Sequence, residues 1–242
     1  STIADTLRSV ASQTYPNIQH VVVDGASKDD TMAIVGREGA HLDKAISEPD
    51  KGIYDAYNRG LEHVDGDIIG YINSDDFYYD DTVIEQVAKA FREHSQAKAV
   101  HADLIYVDPQ DTDVVVRHWR GREMTPKNIK RGFIPAHPTL FVKREVYDKF
   151  GGYDMKYRLA ADYEFMLRIL AKHGAPSVHV PSVWVRMRTG GATGAGFKGV
   201  KQQNLEIRDA QRLHGIRYPA PLFTMHKVFD RSLQHLRAKQ YQ

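Results

Sequence analysis

Between Asp67 and Asp76 the sequence reads DIIGYINSDD. Ile68, Ile69, Tyr71 and Ile72 form a short β-prone apolar run, and Asn73, Ser74, Asp75 and Asp76 end it abruptly. A run of this length suits a buried strand of a parallel sheet. Open α/β sheets bind ligands beyond the carboxyl ends of such strands. Two adjacent carboxylates placed there repel each other and resist desolvation. A divalent cation offsets both costs, and hard oxygen ligands suit Mg²⁺ or Mn²⁺. The competing reading makes Asp75 and Asp76 caps for the helix that follows near Thr82.

The segments around this run alternate in type. Ile3, Leu7, Val10 and Ala11 recur at helical spacing, and Tyr15-Pro16-Asn17 ends that helix. Ile18 to Val23 reads as a strand that runs into Asp24-Gly25-Ala26-Ser27, a turn before a short helix over Met32 to Arg37. A small strand at Ala45-Ile46 precedes the loop Glu48-Pro49-Asp50-Lys51-Gly52. Next comes a helix with Ile53, Tyr57, Gly60, Leu61 and Val64 inward, and Ile84, Val87, Ala88 and Phe91 mark another beyond the organising run. The order α-β-α-β-α-β-α predicts a doubly wound, mostly parallel sheet flanked by helices.

The second half is less regular. Ala99 to Val107 and Val114 to Trp119 predict a hairpin about Asp108-Pro109-Gln110-Asp111. A strand at Thr139 to Val142, a helix at Arg144 to Phe150, a helix from Tyr163 and a final strand over Val178 to Arg186 follow. Thr189 to Gly199 is glycine-rich but has no Gly-Lys-Ser/Thr step, so it is not a P-loop. Two helices, about 200–214 and 222–239, close the chain. We therefore expect one domain over residues 1–199 and a helical extension over 200–242.

Composition narrows the class. A net charge of +2 leaves no electrostatic footprint for nucleic acid. The absence of cysteine excludes disulfides and thiolate metal sites and agrees with a cytoplasmic setting.

Three ordered segments resemble the family 2 glycosyltransferases of the GT-A fold: QTYPNIQHVVVDGASKDDT, SEPDKGIYDAYNRGLEHVDGDIIGYINSDD, and HPTLFVKREVYDKFGGYDMKYRLAADYEFMLRI. Together they run from Gln13 to Ile169. The resemblance implies a nucleotide site built from Asp24, Gly25, Ser27, Asp50, Asn58 and Asp75. It implies that Asp75 and Asp76 serve the cation and the ribose, with either as the direct metal ligand, since Asn73 stands where many relatives have a first aspartate. It makes Asp162 the catalytic base, and it places His137, Arg186 and Arg188 in the acceptor or diphosphate region. Relatives begin with a strand before the helix that opens this chain, so an N-terminally shortened member is expected.

The implied activity is inverting transfer of one sugar from a nucleotide-diphosphate donor to a glycan or lipid-linked hydroxyl, with Mn²⁺ or Mg²⁺, in bacterial surface-glycan assembly. The rival is a binding or scaffolding protein that has lost catalysis. A nucleotidyltransferase would need a glycine-rich loop near its first strand, and none is there. Leu222, Phe223, Met225, Val228, Phe229, Leu233 and Leu236 give the last helix an apolar side, with His226, Lys227, Arg231, Arg237 and Lys239 adding basic character. That pattern suits packing on the domain, or peripheral contact with the inner membrane face.

Overall fold

The computed structural model describes residues 2–190 and 196–241. The centre of the glycine-rich segment, residues 191–195, therefore lies outside the described residues. The elements are α1 (Ile3–Ala11), β1 (Val21–Asp24), α2 (Thr31–Glu38), β2 (Lys44–Ser47), α3 (Ile53–Glu62), β3 (Ile68–Gly70), β4 (Asp76–Tyr78) and α4 (Val83–Glu93). They continue with β5 (Ala99–Val107), β6 (Val115–Trp119), α5 (Pro126–Lys130), β7 (Phe141–Lys143), α6 (Arg144–Phe150), α7 (Ala161–Met166), β8 (Ser177–Arg188), α8 (Gly196–Leu213) and α9 (Ala220–Ala238). A π-helical segment, Leu167–Lys172, prolongs α7.

The α/β class is as expected, but the strand directions are mixed rather than mostly parallel. β1 and β2 pair in parallel as a sheet of their own. In the six-stranded sheet, ordered β3-β7-β5-β8-β4 with β6 also on β5, only β5 and β8 run parallel. The other four pairings are antiparallel. The hairpin is one cause, because two strands joined by a tight turn must run in opposite directions.

β5 is the centre. Eight of its nine residues are buried, which its near-continuous apolar run AVHADLIYV requires of a strand covered on both faces. Successive residues of β7 feed different cores: Phe141 joins Val83, Val87, Phe91 and Trp184, while Val142 joins Tyr147, Phe165 and Met166. That division follows the two-residue period of a strand. Ile3 and Leu7 of α1 pack with Ile34 and Val35 of α2 in a separate cluster. Gly151 stops α6 with φ of +78°, a conformation that costs glycine little.

The organising run does not form one strand. β3 ends at Gly70, where a Cβ would meet the Phe141 ring at 2.4 Å. Tyr71 and Ile72 leave the sheet, and Asp76 N–H closes a turn onto the Asn73 carbonyl at 3.1 Å. Asp76 then opens β4, paired with Met187 of β8. The acidic pair therefore sits on the turn between two strands rather than at the carboxyl end of one. At the other end of the chain, α8 begins ahead of the boundary expected at residue 200.

Candidate active site

The first loop starts where β1 ends. Asp24 accepts from Ser27 N–H at 2.9 Å, from the Ser27 hydroxyl, and from the Ser47 hydroxyl of β2 at 2.6 Å. Burial pushes its carboxyl up, but these hydrogen bonds outweigh burial and hold it below the usual carboxylate range. Ala26 takes a left-handed backbone, φ 61°, to make the turn. The second loop closes on the first: a Cβ on Gly25 would come within 2.5 Å of Asp50 Oδ2. Asp50 Oδ1 in turn accepts Gly52 N–H at 2.8 Å. Asp24, Gly25, Ser27 and Asp50 are thus brought together at the entrance to α3.

This contact yields a test. Alanine at Gly25 must displace the Asp50 carboxylate without touching the core. Gly25→Ala is expected to weaken nucleotide affinity about tenfold, roughly 1.4 kcal/mol, with little change in melting temperature. Calorimetric titration checks it, and unchanged affinity would put the nucleotide elsewhere.

α3 then presents Tyr54 and Tyr57 on one face, as i,i+3 spacing demands. Tyr54 donates to Asp162 Oδ1 at 2.8 Å, and Tyr163 N–H donates to the same oxygen at 2.8 Å. Asp162 lies in the first turn of α7, behind Ala160 as N-cap, so it is not the cap itself. Both of its bonds fall on Oδ1, leaving Oδ2 open among the described residues.

Tyr57 donates a short hydrogen bond to Asn73 Oδ1, and Asn73 Nδ2 donates to Asp76 Oδ2 at 3.0 Å. The phenol of Tyr57 is raised well above its ordinary pKa by burial first, then by the charges of Asp162, Asp76 and Asp75 in that order. Tyr57 thus links the two halves of the site: through Asn73 to Asp76, and by packing on Tyr54 to the Asp162 pair.

Asp76 is fully buried, and its Oδ1 has no hydrogen-bond partner among the described residues. Burial, with Asp75 adding to it, pushes its carboxyl up to about 7. An orphaned, desolvated carboxylate oxygen beside a second carboxylate fits a hard divalent cation. Among the described residues no three His, Asp or Glu side chains gather as a complete ligand set. That suits a cation of the kind held by one or two carboxylates and completed by phosphate oxygens. Arg188, buried, donates to the Asp75 carbonyl at 2.8 Å and pairs with Asp5, so it braces the acidic turn.

Three expected site residues are otherwise engaged. Asn58 spends its amide on the backbone of Tyr153, donating at 2.9 Å and accepting at 2.8 Å, so it fastens the turn after α6 instead of facing the nucleotide loops. Arg186 reaches the hairpin turn, at 3.3 Å from the Thr112 carbonyl and 3.5 Å from Asp113, and not the acidic turn. His137 is half-buried, bonds the Tyr153 hydroxyl at 2.7 Å and stacks on Tyr57. Desolvation lowers its pKa against the pull of Asp162.

A hollow of about 520 Å³ opens beside Tyr54, lined by Lys51, Ile53, Met155, Tyr157 and Arg158. A larger one, about 700 Å³, is lined by Asn58, Glu164, Arg168 and His214. In it Glu164 pairs with Arg168 at 3.0 Å and with His214 at 2.8 Å. Sequence reasoning missed Tyr54 as a partner of the Asp162 carboxylate. The two tyrosines three apart on a predicted helix were the available signal.

Comparison with known proteins identifies the family. A family model described as Glycosyl transferase family 2 matches residues 1–152. A PGL/p-HBAD biosynthesis glycosyltransferase of Mycobacterium tuberculosis is 30% identical over 166 residues, 67% of this chain and 62% of that protein. A putative glycosyltransferase, EpsE, of Bacillus subtilis is 25% identical over 161 residues, 63% of this chain and 55% of that protein. The chain thus spans less than two thirds of the length of these relatives.

Among solved structures, S. aureus TarS in complex with UDP-GlcNAc superposes with a TM-score of 0.67 at 17% identity, over 88% of this chain and 61% of that one. The mannosyltransferase PcManGT of Pyrobaculum calidifontis, in complex with GDP-Man and Mn²⁺, gives 0.65 at 20% identity, over 99% and 68%. These likenesses establish the GT-A fold. With the family model covering more than half of its residues, the chain belongs to glycosyl transferase family 2.

Proposed function

We propose that the chain transfers one sugar from a nucleotide-diphosphate sugar to a hydroxyl of a glycan or lipid-linked acceptor, with inversion at the anomeric carbon. The observation that carries this reading is the chain of contacts from Asp76 through Asn73 and Tyr57 to Tyr54 and Asp162, with Asp76 Oδ1 and Asp162 Oδ2 both open among the described residues. The Asp24–Ser27 loop and Asp50 take the nucleoside. Asp76 and Asp75 would hold a divalent cation, Mn²⁺ or Mg²⁺, which when bound neutralises charge on the diphosphate leaving group. Asn73 orients the Asp76 carboxylate through Oδ2, and Arg188 fixes the turn that carries it.

Asp162 takes the proton of the acceptor hydroxyl as its oxygen attacks the anomeric carbon. Tyr54 and the Tyr163 amide hold one carboxylate oxygen still, so the other is presented in one direction. The hollow lined by Tyr54, the partner of Asp162, would receive the acceptor. UDP-GlcNAc and GDP-Man with Mn²⁺, bound by the two solved relatives, support a nucleotide-sugar donor and a cation. The mycobacterial relative, named a PGL/p-HBAD biosynthesis glycosyltransferase, supports a biosynthetic transfer.

A thermal-shift panel of UDP-, GDP- and dTDP-sugars with Mn²⁺ identifies the donor, because a ligand of the native state raises its apparent stability. Proton NMR of the product then reads the anomeric configuration, expected to be opposite to that of the donor. Retention would exclude direct displacement. Metal-dependent binding with neither hydrolysis nor transfer across an acceptor panel would favour a nucleotide-sugar binding protein.

A further inference from the structure

The last helix leaves most of its large apolar side chains exposed. α9 docks on the body at a few points: Phe223 and Ala238 are buried in the cores, Asp230 pairs with Arg122 at 2.6 Å, and His235 bonds the Val116 carbonyl at 3.2 Å. Just beyond it, Gln240 bonds His118 at 2.9 Å. Of its large apolar side chains only Phe223 is buried. Leu222, Met225, Val228, Phe229 and Leu236 are 42%, 57%, 61%, 60% and 60% exposed. At 100° per residue these five fall within an arc of roughly 120°, a continuous outward stripe. An apolar stripe of this kind on a folded surface marks an interaction site.

Charge says what the stripe faces. Residues 196–242 hold nine Lys or Arg against three Asp or Glu, a formal +6, which leaves −4 for the remainder of a chain of net charge +2. The three acids do not neutralise their neighbours on the outer surface. Glu206 accepts Leu159 N–H, Asp209 pairs with Lys156, and Asp230 pairs with Arg122. Arg231 and Lys239 are exposed on the same segment. A second copy would bring two such basic rims together, whereas an anionic bilayer takes the apolar side chains into its acyl boundary and the cations at its headgroups.

We propose that α9 is an interfacial helix that seats the protein on an anionic lipid surface through Leu222, Met225, Val228, Phe229 and Leu236. The contact is independent of the transfer reaction, and its test needs neither donor nor cation. The full chain is sedimented with phosphatidylglycerol/phosphatidylcholine vesicles and with phosphatidylcholine vesicles, at low and at high salt. Binding to the anionic vesicles is expected to be about tenfold or more stronger at low salt, and to weaken as salt rises. The double variant Val228→Glu, Phe229→Glu should lose at least about tenfold of that binding while keeping the parental melting temperature and nucleotide affinity. No binding to either vesicle overturns the proposal. So does a dimer in light scattering that the double variant dissolves, which would assign the stripe to a second copy.

Discussion

Asparagine in place of Asp162 is expected to slow sugar transfer by about 10²–10⁴-fold, the usual cost of removing a general base. The substitution is nearly isosteric. Its amide oxygen still accepts from Tyr54 and from Tyr163 N–H, so the side chain stays where it was. What is lost is the capacity to take a proton, because the open Oδ2 becomes an NH₂ donor. Neither group that binds Asp162 belongs to the nucleotide loops, so nucleotide affinity and melting temperature should remain near parental. Steady-state transfer assays, donor titrations and thermal melts separate the outcomes. Near-parental turnover would assign the proton to another acceptor, and a parallel loss of nucleotide binding would move Asp162 to the donor side.

Asparagine at Asp76 is expected to do two opposite things. In the parent, burial and Asp75 lift this carboxyl from 3.8 to about 7. Folding therefore favours its protonated form. Stability linked to this group is full below the unfolded value near 4, falls as pH climbs toward 7, and is flat above. The amide of the variant carries no charge to desolvate at any pH, so Asp76→Asn should be more stable than the parent at pH 8, by about 1–4 kcal/mol. The pH slope between 4 and 7 should shrink with it.

With Mn²⁺ and nucleotide the order reverses. The parent gains stability by mass action and the variant does not. Melts at pH 5 and pH 8, with and without Mn²⁺ and the preferred nucleotide, read both effects. A variant that is less stable than the parent at pH 8, or that keeps the full Mn²⁺-dependent shift, would show that Asp76 serves structure rather than the cation.

How far the sequence could be read depended on how local the governing physics was. Asp24 and Asp50 stand at a strand end and a helix entrance, where turn chemistry is written in neighbouring residues, and the structure brings their loops together. α6 was legible to the residue because Gly151 stops it. The acidic turn was misread in part because nothing local reports that Gly70 lies under Phe141 and that Asp76 starts a strand against Met187. Nothing local reports the contacts of Asn58 and Arg186 either: their partners, Tyr153 and the Thr112–Asp113 turn, are distant in sequence.

A buried cluster escaped notice altogether. Asp103 accepts from His118 at 3.0 Å, His179 at 2.8 Å and Gly121 N–H at 2.8 Å, joining β5, β6 and β8. These four residues carry no spacing pattern that the strands would announce. For the last helix both packing on the domain and an outward apolar side stayed open, because periodicity reports that an apolar side exists, and only the packing tells which way it faces.

One oxygen decides how the acidic turn can handle an ion. Asn73 already occupies Asp76 Oδ2, and Asp76 Oδ1 alone is left without a partner. A carboxylate in that state offers a single point of attachment, not a chelate. With no third protein ligand gathered nearby among the described residues, the turn alone is a weak trap for a bare cation. Nucleotide and cation should therefore load as one unit and depart as one unit. Free cation in the medium would then set the rate of loading through its complex with the donor, and the emptied protein would carry no ion from one turnover to the next.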